Sequence, residues 1–168
     1  TCALPILSEH LSNYKIPHLV LERNRIAERW RSERWDSLVA NGPAWHDRFP
    51  NMEFADFDPN GFPSKEQVVD YFVAYAEMIK APIRCGVEVK EVRRNVGRPG
   101  FRIETSDGIF EANNVVAATG PFQCPLIPDF KFENNRITQI HSSQYHNPDQ
   151  LPEGGVLVIG AGSSGAQI

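Results

Sequence analysis

The segment that most restricts the fold lies late in the chain: Val156-Leu157-Val158-Ile159-Gly160-Ala161-Gly162-Ser163-Ser164-Gly165. Its continuous apolar run reads as a strand buried on both faces, the kind found in parallel sheets covered by helices. The glycines that follow have the spacing G-x-G-x-x-G. In that pattern the first glycine permits a tight turn and the second lets backbone approach a pyrophosphate. The third lets the next helix pack against the strand. The helix N-terminus then offers N–H groups and the positive end of its dipole to phosphate. A Gly/Ser turn between two strands is the competing reading; the strand in front of the glycines favours the dinucleotide one.

The same reasoning upstream finds His18-Leu19-Val20-Leu21-Glu22, a short apolar strand ending in an acid. In dinucleotide folds an acid here holds the adenosine ribose, about 20 residues after the glycines. Counting back from Glu22 puts those glycines around or before Thr1, where the chain has Thr-Cys-Ala-Leu. Glu22 therefore reads equally well as a solvated strand-end acid. A further apolar run, Val115-Val116-Ala117-Ala118, leads into Thr119-Gly120-Pro121. It is expected to be a strand buried on both faces whose small residues let a cofactor come close, or simply a strand ending in a Gly-Pro turn.

Between these runs the period changes. Leu4, Leu7, Leu11 and Tyr14 recur at helical spacing, with Pro5 acceptable in a first turn. Residues 23–50 read as a short helix followed by irregular loop. Ser64-Lys65-Glu66-Gln67 predicts a capping box opening a helix with Val68, Phe72, Tyr75 and Ile79 on one face, ended by Pro82. Residues 87–92 and 101–105 alternate at period two, and Ser106-Asp107-Gly108 joins the latter to Ile109-Phe110-Glu111, so short antiparallel strands are expected. A proline-rich linker at 121–128 divides the chain into 1–120 and 121–168.

Composition removes several classes. With 17 Lys+Arg against 21 Asp+Glu the net charge is −4, and no basic cluster offers a footprint for nucleic acid. Trp30, Trp35 and Trp45 therefore read as packing residues rather than base-stacking ones. No apolar run approaches the roughly 20 residues of a membrane-spanning helix, and no secretory signal is evident. Cys2, Cys85 and Cys124, odd in number and widely spaced, fit a reducing compartment, so a cytoplasmic location is expected. Cys85 reads as buried core, and the absence of C-x-x-C argues against disulfide reductases. His10, His18, His46 and His146 lack metal-ligand spacing. Thr1 in place of Met, and Ile168 three residues after the last glycine, lead us to expect an internal segment of a longer protein.

Taken in order, four segments resemble the flavin-dependent monooxygenases, the group that includes flavin-containing, Baeyer–Villiger and indole-pyruvate monooxygenases. They are Val20-Leu21-Glu22-Arg23 with Trp30-Arg31 and Arg34-Trp35-Asp36-Ser37-Leu38; Ala118-Thr119-Gly120-Pro121-Phe122; Gln139-Ile140-His141-Ser142-Ser143-Gln144-Tyr145; and Gly160-Ala161-Gly162-Ser163-Ser164-Gly165. The resemblance implies an α/β, two-dinucleotide-binding-domain (Rossmann-like) flavoprotein fold, incomplete at both ends, with a small antiparallel β segment. Residues 1–120 would be a partial FAD-binding domain lacking its first glycine motif. Residues 121–168 would be a linker and the start of an NADPH-binding domain.

Carried onto matching positions, the resemblance puts Glu22 and Arg23 at the FAD ribose and Trp30 and Arg31 along the flavin side of the pocket. Val89 would meet the adenine through its backbone, and Thr119 and Gly120 would mark the return crossing between domains. Gly160, Gly162, Ser163, Ser164 and Gly165 would cradle the NADPH pyrophosphate. Asn41, where the family often has an Asn-Thr-Pro stretch near the isoalloxazine, is the implied catalytic residue, hydrogen-bonding the flavin adduct. The implied chemistry is reduction of FAD by NADPH, reaction with O2 to a peroxide adduct, and transfer of one oxygen atom to a small organic substrate.

The sequence departs from the family at several places. Asn135 and Ile137 replace a Phe and a Gly upstream of His141, Ala27-Glu28 stands in part for a glycine expected after the ribose-binding acid, and Gly42 replaces a Thr. Two other functions fit the same residues: a flavin-linked NAD(P)H reductase that inserts no oxygen, and a truncated, non-catalytic nucleotide-binding chain.

Overall fold

The computed structural model describes residues 3–120, 124–128 and 137–168. They belong to two compact units, Thr1–Ala27 with Phe72–Pro121 and Glu28–Tyr71 with Phe122–Ile168. The architecture is mixed α/β with a small antiparallel sheet.

In the first unit α1 (Ala3–Asn13) leads to β1 (Val20–Glu22). The helix stops in a paired-carbonyl cap: Ile16 N–H reaches Leu11 O at 2.8 Å and Lys15 N–H reaches Ser12 O at 2.9 Å. Closing that cap forces Lys15 to φ 56°, a conformation glycine normally supplies. β1 pairs in parallel with β2 (Ile83–Cys85), matching Val20 to Ile83 and Glu22 to Cys85. Buried Ser8 ties the helix to the chain entering β1. His18 Nδ1–H donates to Ile16 O at 2.9 Å, which leaves Nε2 to accept from the Ser8 hydroxyl at 2.8 Å.

The capping box expected at Ser64 is formed: Gln67 N–H donates to Ser64 Oγ at 3.3 Å and Ser64 N–H to Gln67 Oε1 at 2.9 Å. It opens α4 (Lys65–Met78), which begins in the second unit and ends in the first. Within the first unit Phe72 and Tyr75 are buried, and the Tyr75 hydroxyl donates to Glu9 Oε2 at 2.5 Å. α4 ends as α1 does, with Ala81 N–H on Ala76 O at 3.0 Å and Lys80 at φ 49°.

The antiparallel strands expected from period-two alternation are present as β3 (Val89–Arg94), β4 (Phe101–Thr105) and β5 (Gly108–Ala112), in that order across one sheet. Ile103 faces the core while its neighbour Arg102 is exposed, as alternation requires. Thr105 Oγ1 closes the β4–β5 turn, donating to Gly108 O at 2.8 Å and accepting from Asp107 N–H at 3.1 Å.

The second unit holds α2 (Glu28–Ser32), α3 (Ala44–Asp47), the opening of α4, a single 3-10 turn at Pro148–Gln150 and α5 (Ser163–Gln167). Its core joins Trp35, Leu38 and Tyr145, with Trp30 and Leu151 packed against them. Lys65 is buried beside this core. Its ammonium donates to Asp36 Oδ1 at 2.8 Å, and Asn147 Nδ2 donates to Asp36 Oδ2 at 2.8 Å. A second cluster stacks Phe54 on Tyr71 with ring centroids 4.0 Å apart. The Tyr71 hydroxyl accepts from Phe49 N–H at 2.6 Å and donates to Met52 O at 2.8 Å, and burial pushes its pKa up.

Three expectations need correction. The runs 115–118 and 156–159 lie in neither sheet, and Val116 and Leu157 are 63% and 78% exposed. A parallel strand exists only through hydrogen bonds to its neighbours, and among the described residues the only parallel pair is β1 with β2. Cys85 is exposed rather than core, because it ends β2 where the strand pairs on one side only. In the linker, 121–123 lie outside the described residues, as does Asn135.

Candidate dinucleotide-binding site

In the second unit the three glycines meet three different demands. Gly160 has φ 120°, outside the range of L-residues. A Cβ on Gly165 would fall deep inside the van der Waals radius of Gly160 O, 3.1 Å from Gly160 C and 3.6 Å from Val158 Cγ1. The helix is thus pressed against the first glycine's backbone. Gly162 is different. It has φ −76° and ψ 176°, open to any residue, and a Cβ there meets nothing within 4 Å.

Gly162 also caps α5, with Ala166 N–H on its carbonyl at 3.1 Å and no side-chain cap. Ser163 and Ser164 form the exposed first turn. A glycine cap with no side chain and the exposed hydroxyls of the first turn form a donor set suited to pyrophosphate.

Asn41 is brought to this motif by a residue that pattern reasoning missed. Gln167, at the end of α5, donates from Nε2 to Asn41 Oδ1 at 3.0 Å and accepts from Val39 N–H at Oε1 at 3.4 Å. The only signal in the sequence is one amide side chain in an otherwise small and apolar stretch, Gly165-Ala166-Gln167-Ile168. Neighbouring Gly42 donates its N–H to Asp47 Oδ2 at 3.0 Å, and a Cβ on Gly42 would run into that carboxylate. Trp30 packs into the Trp35 cluster, while Arg31 is exposed. Tyr145 is buried in the same cluster.

His141 folds back locally. Ser143 N–H donates to His141 Nδ1 at 3.1 Å, which assigns the ring proton to Nε2. Asp36 carries the clearest electrostatic signature. The hydrogen bond from Asn147, then that from Lys65, holds its carboxyl below the usual value. Burial lowers the Arg34 guanidinium, with Glu33 opposing.

In the first unit Glu22 ends β1 half-buried, its Oε1 accepting from Asn24 N–H at 2.9 Å. It lines a cleft with Pro5, Val20, Ile26, Ala27 and Phe72. Ala27 sits at φ 59°, so the stretch where the family has a glycine does require left-handed backbone here. Arg23 is exposed. Val89 pairs with Thr105 in the antiparallel sheet, apart from the sheet that carries Glu22. Thr119 is exposed and Gly120 has φ 78°. Among the described residues no His/Cys/Asp/Glu group is arranged for a metal, and no helix is long and apolar enough to cross a membrane.

A parallel strand pair ending in an acid, and a glycine turn pressed onto a helix, define an α/β protein of the dinucleotide-binding class. The family model for pyridine nucleotide-disulphide oxidoreductases matches residues 8–168, and the chain belongs to that family. It is 44% identical over 151 residues to an uncharacterized CzcO-like oxidoreductase of Geobacillus kaustophilus, covering 89% of this chain and 42% of that protein. It is 32% identical to the rice indole-3-pyruvate monooxygenase YUCCA1, over 91% of this chain and 38% of that protein. Among solved structures it is similar to a flavin monooxygenase mutant from Stenotrophomonas maltophilia, with 27% identity and TM-score 0.73, over 83% of this chain and 41% of that one. The chain therefore spans less than half the length of these relatives. The likeness to flavin-dependent monooxygenases read from the residues holds, and with it the two-dinucleotide flavoprotein fold class.

Proposed function

We propose that the whole protein is an FAD- and NADPH-dependent monooxygenase of the cytoplasm that places one oxygen atom from O2 into a small organic substrate. The observation that carries this is the division of labour among the glycines. The chain's own geometry demands glycine at 160 and 165, whereas at 162 the backbone suits any residue and a Cβ would meet open space, which leaves room for a phosphate to approach. Similarity to a flavin monooxygenase supports the flavin, and the family's pyridine nucleotide supports the nicotinamide partner.

On this reading residues 1–120 form part of the FAD side, and 121–168 are a linker and the opening of the NADPH side. Glu22, with one oxygen engaged by Asn24, offers the other to ribose hydroxyls, and Arg23 lies beside it. Val89, Thr119 and Gly120 approach FAD through backbone, while Trp30 and Arg31 border the flavin side. Gly160, Gly162, Ser163, Ser164 and Gly165 hold the NADPH pyrophosphate, and Asn41 hydrogen-bonds beside the isoalloxazine. Bound flavin supplies electron transfer from NADPH and activation of O2; the chain's residues bind, orient and exclude water. The balance is NADPH + H⁺ + O2 + substrate giving NADP⁺ + H2O + oxygenated substrate.

Cys85 and Cys124 are exposed single thiols with no C-x-x-C between residues 1 and 168, so these residues lend a dithiol reductase no support. The test is to purify the full-length protein, record its flavin spectrum and follow NADPH oxidation with amine, sulfide and ketone substrates. Oxygenated product near one per NADPH is expected. Hydrogen peroxide alone with every substrate would point to a reductase without oxygen insertion, and absence of retained flavin would overturn the flavoenzyme reading.

A further inference from the structure

We infer that Gln167 is a positioning residue that sets which end of the Asn41 amide faces outward. This rests on the proposed role of Asn41 and extends it to a residue outside the glycine motif. The polarity follows from one fixed donor. Val39 N–H can only donate, so the Gln167 atom it reaches at 3.4 Å is Oε1. The other end of Gln167 is then its NH2, and the Asn41 atom it meets at 3.0 Å is Oδ1. With Oδ1 engaged, Asn41 presents Nδ2–H2, a donor, on its remaining side.

A donor is what an oxygen-bearing or carbonyl group beside Asn41 requires. An amide flipped the other way would offer a lone pair to it. The relay runs from the Val39 backbone through α5 to Asn41, all within one compact unit. It ties the orientation of the candidate catalytic amide to the helix that opens at the candidate pyrophosphate turn.

Three variants of the full-length protein separate this from a merely structural role. Gln167→Glu still accepts from Val39 N–H but cannot donate, so Asn41 turns its NH2 toward the new carboxylate and presents Oδ1 outward. Asn41→Asp keeps the bond from Gln167 and also presents an acceptor. Gln167→Leu loses both ends. Peroxide released per NADPH is expected to rise about tenfold in both Gln167→Glu and Asn41→Asp.

The independent readout is hydrogen exchange of the Val39 amide by mass spectrometry, which needs neither substrate nor turnover. Gln167→Glu should keep wild-type protection and Gln167→Leu should lose it. Unchanged peroxide yield in Gln167→Glu, or unchanged Val39 exchange in Gln167→Leu, overturns the inference. A wild-type protein without flavin overturns the proposed function instead, and the exchange measurement still decides whether the clamp exists.

Discussion

Alanine at Gly162 and at Gly165 should fail for different reasons. At 162 the backbone (φ −76°, ψ 176°) suits alanine, and its Cβ would touch nothing within 4 Å. Unfolding stability should therefore change by no more than about 0.5 kcal/mol, as for other unstrained surface sites. A methyl group there still stands in the path of a phosphate approaching the α5 turn. Losing one charge-assisted hydrogen bond costs about 1.5–3 kcal/mol, or roughly 10- to 150-fold in affinity. At 165 the added carbon overlaps Gly160 O and lies 3.1 Å from Gly160 C, both backbone atoms with no rotamer to give way. The helix has to move, at an overpacking cost of about 1–3 kcal/mol. Calorimetric titration of the full-length protein with NADP⁺, beside thermal unfolding, reads both quantities. Gly162→Ala should bind weakly and melt like wild type; Gly165→Ala should lose both. Wild-type affinity in Gly162→Ala would refute the view that its missing side chain serves a ligand.

Among the five described non-glycine residues at positive φ, Asn51 and Asp56 are types that tolerate it, whereas Lys15 at φ 56°, Lys80 at φ 49° and Ala27 at φ 59° sit where glycine would be relaxed. Gly at each should stabilise by about 1 kcal/mol, since left-handed backbone costs an L-residue about 1–2 kcal/mol and extra unfolded-state freedom returns part of the gain; denaturant midpoints check this, and a loss at both lysines would contradict the cap assignment. Asp36 is held below its ordinary pKa of 3.8 by the bonds from Asn147 and Lys65. A depressed folded pKa contributes stability that is complete above the unfolded value and lost as pH falls through the folded one. Asp36→Asn should thus flatten the acid limb of stability below about pH 4, and an unchanged limb in pH-dependent melting would mean the two bonds do not persist in solution.

What was legible in the sequence depended on how local its cause was. The Ser64 capping box could be read because both partners lie within one turn, and it formed as expected. The β3–β5 strands could be read because alternation and turn residues sit in one continuous stretch. β2 was missed: Ile83-Arg84-Cys85 is three residues with a cation in the middle, and it is a strand only because Val20-Leu21-Glu22 lies beside it. The Lys65–Asp36 pair, 29 residues apart, has no periodic signature at all.

The apolar runs at 115–118 and 156–159 carry the opposite lesson. Their composition states a demand for cover on two faces, yet the described chain leaves them exposed and outside both sheets. An exposed unbroken apolar run costs solubility and invites edge pairing. The glycine turn beside 156–159 is formed nonetheless, because Gly165 packs directly on the Gly160 backbone within six residues. Turn and run therefore differ. The turn is built by local backbone, whereas the run pairs with no strand among the described residues. Gln167 lies between these cases: its helix is local, but its partners Val39 and Asn41 are 128 and 126 residues away. A role set by such a contact becomes visible only once the backbone has brought the two segments together.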